Sequence, residues 1–132
     1  MSELVQSKLK FKNPIIENVH FQRNLDYDDM KEVVGFVPSA EMNVKILEGS
    51  MATATLTFSI GEKATNPYFT FSAVASADFK WENMEDEAAR KQLRISGASV
   101  LISYIRPVLS SMTAQSGLLP YQLPFIDFSR FE

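Results

Sequence analysis

Three alternating runs, joined by connections too short to hold a helix, constrain this chain more than any other feature. Tyr68 to Trp81 is the cleanest run. Phe69, Phe71, Ala73, Ala75, Ala77, Phe79 and Trp81 fall on one side, against Thr70, Ser72, Ser76, Asp78 and Lys80 on the other. Met51 to Ile60 turns Ala52, Ala54, Leu56, Phe58 and Ile60 inward and its threonines and Ser59 outward. Glu41 to Glu48 puts Met42, Val44 and Ile46 on one face. A period of two belongs to strands with one buried face. Glu48-Gly49-Ser50 and Gly61 to Pro67 supply the turns. Parallel neighbours would need a crossover of roughly a dozen residues or more, so an antiparallel meander is expected.

Upstream, Leu4 to Phe11 sets Val5, Leu9 and Phe11 against Lys8, Lys10 and Lys12, with Ser7 as the weak point. Pro14 cannot donate to a ladder and marks a bulge, after which Ile15, Val19 and Phe21 resume the inward set. This predicts one long, kinked first strand. Gln22 to Ala40 reads as a connection, with Asp26, Asp28 and Asp29 offering oxygens for turns. A calcium loop would need a glycine and a terminal glutamate that are not at the required positions. The VVGFVP stretch (34–38 with Val33) is a candidate edge strand, because Gly35 and Pro38 disfavour a central one.

The alanines in the middle of the last two strands leave a groove in which a helix can lie. Asn83 is placed to cap a helix with Glu85, Asp86 and Glu87 in its first turn, where the helix dipole favours negative charge. That helix is expected to reach about Leu93 before Ser96 and Gly97 loosen it. The next begins near Ile95, with Ile95, Ala98, Ile102, Ile105, Leu109 and Met112 on one stripe and Leu101 and Val108 widening it. A second stripe, Ser96, Ser99, Ser103, Arg106, Ser110 and Thr113, carries one charge. A freely solvated face would carry more, so close approach by another surface, such as a second copy, is expected. Pro107 removes a bond to the Ser103 carbonyl and predicts a bend there. Gly117 closes the helix and Pro120 stops it. The aromatic tail YQLPFIDFSRFE (121–132) is too apolar for a solvated end and is expected to pack back.

Chemistry is sparse. The 132 residues suit one domain, 1–132, with a real core. A net charge of -3 argues against nucleic acid as partner. With no cysteine, disulfides and thiolate sites are excluded. MSELVQSKLKFK has no continuous apolar run and so does not read as an export signal. Val100 to Leu109 is short and holds Arg106 and Pro107, so no membrane insertion is expected and a cytoplasmic location is the default. The single histidine, His20, sits in a strand pattern and is assigned a structural role. No nucleophile elbow, P-loop or dinucleotide glycine motif occurs, and both carboxylate clusters are explained by turns and helix starts. An enzyme is not expected, nor is a cofactor.

The order of elements resembles the SecB family of export chaperones. Tyr104-x-Arg106, Ser111-Met112, Gly117, Pro120, and Pro124 with Phe125 to Phe128 resemble that family's helix and following loop. Val19-x-Phe21 and Met42-x-Val44-x-Ile46 fall where its first strands sit. The resemblance covers nearly the whole chain. It implies an α+β fold, with an antiparallel sheet of four strands, or five if the edge stretch pairs, backed by a long C-terminal helix. It also implies a homo-oligomer, a dimer or a tetramer pairing through the helices, with Ser99, Ser103, Arg106 and Ser110 as candidate contacts. Non-native polypeptide clients would be held, without ATP, along apolar grooves lined by Phe79, Trp81, Tyr121, Leu123 and Phe125. The family docks SecA on an acidic sheet face, and the matching positions here, Asn18, Gln22, Thr70 and Ser72, are uncharged. SecA coupling is therefore not expected, and other clients, such as those of toxin-antitoxin systems, come into view. The chain also stops at Glu132, where the family would begin a final helix.

A sheet gripping a long helix also describes small-molecule or lipid binding modules of the helix-grip kind. Those need more strands than are legible here, and a hot-dog enzyme would place its helix between early strands. An enclosed cavity under the helix would favour the ligand binder. Open grooves would favour the chaperone.

Overall fold

The computed structural model describes residues 2–4 and 8–129. The expected strand positions Val5 and Ser7 and the tail residue Phe131 lie outside the described residues. Strands β1 (Lys10–Arg23), β2 (Pro38–Leu47), β3 (Met51–Ile60) and β4 (Phe69–Lys80) form one sheet in the order β1-β4-β3-β2. Every pairing is antiparallel, and β2-β3-β4 is the expected meander. Its inner face carries the alternating set read above, with Leu56, Phe58 and Phe71 fully buried. The first strand starts at Lys10, several residues later than its alternation suggested.

β1 departs from simple alternation. Asn13 has φ 54°, and the register slips once between Lys12 and Ile15 and again between Ile16 and Asn18. Each slip adds a residue on one strand only and so reverses which face the next side chain takes. Phe11 pairs with Phe79 and Ile16 with Ala75, both on the inner face, while Ile15 lies across from Ser76 on the outer one. Ile15 is 53% exposed, and Ile16 packs on the core in its place. The bulge at Pro14 was legible. That it turns Ile15 outward, and that a second slip after Ile16 turns Val19 and Phe21 back toward the inner face, was not.

The VVGFVP stretch forms no fifth strand. Val34 makes a single bridge with Thr65, Val34 N–H to Thr65 O at 3.1 Å and the reverse bond at 2.8 Å. Gly35 then turns at φ 74°, which sends Phe36 against the rings of Tyr68, Phe69 and Tyr121. The acidic loop is built from turns, as expected. Asp28 Oδ1 accepts from Met30 N–H at 2.9 Å, and Asn66 Nδ2 donates to the carbonyls of Asp28 and Lys31. Among the described residues no group of three or more ligand-type side chains could hold a metal.

Helix α1 (Asp86–Gln92) passes through a π-helical turn, Leu93–Gly97, into α2 (Ala98–Gln115). The helix does not begin at Asn83, which sits at φ 56°, but after Glu85, with Asp86 and Glu87 in the first turn. No break separates the two helices. The wide turn keeps the ladder continuous while admitting an extra residue. Counting the apolar stripe back through it therefore fails, and Ile95 points outward while Leu93 and Gly97 are buried. Downstream the stripe holds: Ala98, Leu101, Ile102, Ile105 and Leu109 are buried over the alanine groove of β3 and β4. α2 runs through Pro107. Among the described residues no helix is long and apolar enough to cross a membrane.

Candidate functional site

α2 ends as the sequence suggested. Gly117 takes φ 88°, Leu118 N–H bonds the Thr113 carbonyl at 3.1 Å and Gly117 N–H bonds the Ala114 carbonyl at 3.2 Å. This left-handed cap satisfies the last carbonyls and reverses the chain. Arg23 Nη1 donates to Ser116 O at 2.6 Å, which ties the end of β1 to the helix terminus, where a cation is favoured.

From there the tail runs back along α2, antiparallel to it. Tyr121 N–H donates to Thr113 Oγ1 at 2.8 Å, Gln122 Nε2 approaches Ser110 Oγ at 3.3 Å, and Arg106 donates to the carbonyls of Leu123 at 2.7 Å and Pro124 at 3.0 Å. Thr113 is wholly buried although it lies on the polar stripe. The partners of Arg106 are thus found within its own chain. Ser99 and Ser103 on the same stripe satisfy their hydroxyls inside the helix, Ser99 Oγ on Ile95 O and Ser103 Oγ on Val100 O, and both residues stay exposed.

Apolar contacts complete the hold. Tyr121 packs edge-on against Phe36 and Phe69 at 5.8 and 5.5 Å, and partial burial raises its hydroxyl above the ordinary tyrosine value. Leu123 and Phe128 reach the core. The packing is incomplete. Phe125, Ile126 and Phe128 share a surface hollow of about 360 Å³ with Ser99, Ile102, Ser103 and Arg106 on α2. On the far side, Ile126, Asp127 and Phe128 share one of about 180 Å³ with Pro38, Ser39, Ala40 and Phe58. The Asp127 carboxyl is held below the ordinary range by the Ser129 N–H bonding to it.

The five aromatic and apolar groove candidates do not come together. Tyr121, Leu123 and Phe125 lie on the tail, the first two largely covered and Phe125 92% exposed. Phe79 and Trp81 are core side chains, each 2% exposed, at the other end of β4. Ten residues of strand separate Phe79 from Phe69, on which Tyr121 packs, a span of about 33 Å. Alternation had already placed both on the inner face; Phe79 packs on Phe11, and Trp81, itself buried, borders a surface hollow of about 260 Å³ with Lys8, Lys10 and Lys80. Phe36, Ile102 and Thr113 belong to the site and were not read as such. The buried series Leu101, Ile105, Leu109, Thr113, each four residues after the last, was the available signal for Thr113.

Phe58, Phe69 and Phe71 fill the space between sheet and helix, where a ligand cavity would have been needed. On the outer face, Asn18, Gln22, Thr70 and Ser72 do share one surface, with Gln22 opposite Thr70 and His20 opposite Ser72.

No family model matches the chain. The protein-export protein SecB of Anaplasma marginale, from the Florida and St. Maries strains alike, is 30% identical to it over 129 residues, covering 91% of this chain and 72% of the relative. The fold is similar to that of a Mycobacterium tuberculosis SecB-like chaperone solved with a ChAD peptide from the HigA1 antitoxin, at TM-score 0.72 and 13% identity, over 91% of each chain. A Streptococcus agalactiae protein of unknown function matches at TM-score 0.52 and 12% identity, over 92% of this chain and 100% of its own. With a sheet backed by a C-terminal helix and a relative matched over most of both chains, this protein belongs to the SecB family, as a divergent member.

Proposed function

We propose that this protein binds unfolded or partly folded polypeptide, without ATP or a cofactor, along the cleft between α2 and its tail. The observation that carries the reading is the apolar hollow on α2, walled by Ile102, Ile126 and Phe128, with Phe125 almost fully exposed at its mouth. A large exposed aromatic beside an unfilled apolar cleft suits a surface that takes apolar segments from partners. Tyr121 and Leu123, on the same tail, cover the neighbouring stretch of α2. Family membership supports the same reading, as does the antitoxin peptide held by the mycobacterial chaperone.

The protein acts as a homo-oligomer, a dimer or tetramer. Phe11, Val19 and Tyr104 leave apolar surface open along the β1 edge and α2, and Ser99 and Ser103 leave a small-residue face beside it. Light scattering at micromolar concentration should give a multiple of 14.9 kDa, and a clean monomer would overturn assembly. It does not couple to SecA, because the outer-face positions Asn18, Gln22, Thr70 and Ser72 offer no negative charge to attract a basic segment. Salt-sensitive, micromolar binding to the C-terminal tail of SecA would refute that.

The test of binding is suppression of aggregation as a chemically denatured protein is diluted from denaturant. Wild type should slow aggregation at equal ratio. Ser103→Arg, which puts a charge into the cleft from an exposed position, should slow it less. No suppression by the wild type would refute the reading.

A further inference from the structure

Resting on that reading, we infer that Arg106 and Thr113 form a reader of extended main chain, occupied in the resting state by residues 121–124 of the same chain and given up to a client segment. All three bonds these side chains make to the tail go to backbone atoms: the Tyr121 N–H and the Leu123 and Pro124 carbonyls. Main-chain contacts carry no side-chain information, so another extended segment can make them equally well.

The spacing fits an extended chain. Arg106 and Thr113 are seven residues apart on α2, two turns and about 10.5 Å. Tyr121 to Pro124 spans about 10 Å when extended. Between these bonds Leu123 turns inward while Gln122 and Pro124 turn out, as the side chains of an extended apolar client would. Tyr121–Phe128 contributes no strand or helix, hollows flank it on both sides, and Leu119 and Phe125 lie open beside the held residues. A suitable client segment is extended, apolar at alternate positions and free of Lys or Arg where it meets Arg106.

The test uses full-length protein and, as probe, fluorescein-labelled reduced and carboxymethylated lactalbumin, which stays unfolded. Hydrogen exchange of residues 119–129 is followed in wild type with and without saturating probe. The tail amides should exchange faster when the probe is bound; unchanged or slowed exchange overturns the inference while leaving client binding intact. In parallel, Leu123→Asp frees residues 121–124 and leaves Arg106, Thr113 and the cleft wall at Ile126 and Phe128 in place. Once shown to be folded by circular dichroism, it should bind the probe about tenfold tighter, because the competent fraction rises. Adding Arg106→Met to it should remove most of that gain. Equal or weaker binding by the folded, freed-tail form overturns the inference. Should that form not fold, the exchange experiment on wild type decides. No binding by wild type or by the freed-tail form overturns both the inference and the proposed function.

Discussion

Replacing Thr113 by valine keeps the shape of the side chain and removes one hydroxyl. That hydroxyl donates within the helix, to Leu109 O or Ser110 O at 3.0 Å, and accepts from Tyr121 N–H at 2.8 Å. The helix loses little, because back-bonding of this kind is neutral or slightly unfavourable. Tyr121 N–H, by contrast, loses its acceptor under a half-buried residue. An orphaned buried donor costs about 1–3 kcal/mol, and partial access to water puts this one near 1–1.5 kcal/mol. With 132 residues and an unfolding entropy of about 2.1 cal/mol/K per residue, Tm should fall by about 4–5 °C. The sharper readout is local. Exchange of the Tyr121 amide should rise about tenfold in Thr113→Val, since about 1.4 kcal/mol is a factor of ten in opening, whereas Thr113→Ser keeps the acceptor and should keep the protection. Unchanged protection in the valine variant, or equal loss in the serine variant, would show that the hydroxyl does not hold the tail.

Three further outcomes follow from the fold. A Cβ at Gly61 would lie 2.2 Å from Phe69 O on a residue at φ 89°, so Gly61→Ala should cost about 2 kcal/mol or more in urea unfolding, and a neutral result would contradict the close approach. Ile16→Asp should destabilise by about 2 kcal/mol more than Ile15→Asp, because only Ile16 packs on the core; the reverse order in thermal melts would mean that β1 has no slip between Lys12 and Ile15. Trp81 buries an Nε1–H that meets no acceptor among the described residues, so Trp81→Phe should cost within about 1 kcal/mol, the small cavity being offset by removal of the orphan donor, while Trp81→Ala should cost about 3–5 kcal/mol. Circular dichroism in urea measures both, and a loss as large for phenylalanine as for alanine would indicate a bound Nε1.

Much of the architecture was legible because it rests on local repetition. Strict alternation in β3 and β4, turns too short for crossovers, and Gly117 after an apolar stripe each state a backbone geometry within a few residues. The site was less legible. Phe79 and Trp81 are aromatic, as groove residues should be, but aromatic character does not distinguish a lining from a filling. Burial decides that, and burial is a property of what packs on top. That Arg106 bonds its own tail was not legible, because no sequence pattern states where a tail will lie, and its partners are carbonyls, which every residue carries.

The alternation of β2, β3 and β4 and the apolar stripe of α2 were determined by the sequence alone, because side-chain periods of two and about 3.6 are set by the backbone itself. The double slip of β1, the π turn that turned Ile95 outward, the burial of Thr113 and the return of the tail onto Arg106 were decided only in the tertiary structure. Each depends on how one element fits against another that is distant in sequence. A single added residue in a strand or a helical turn changes the facing of everything after it, and only the opposing surface determines where that residue goes.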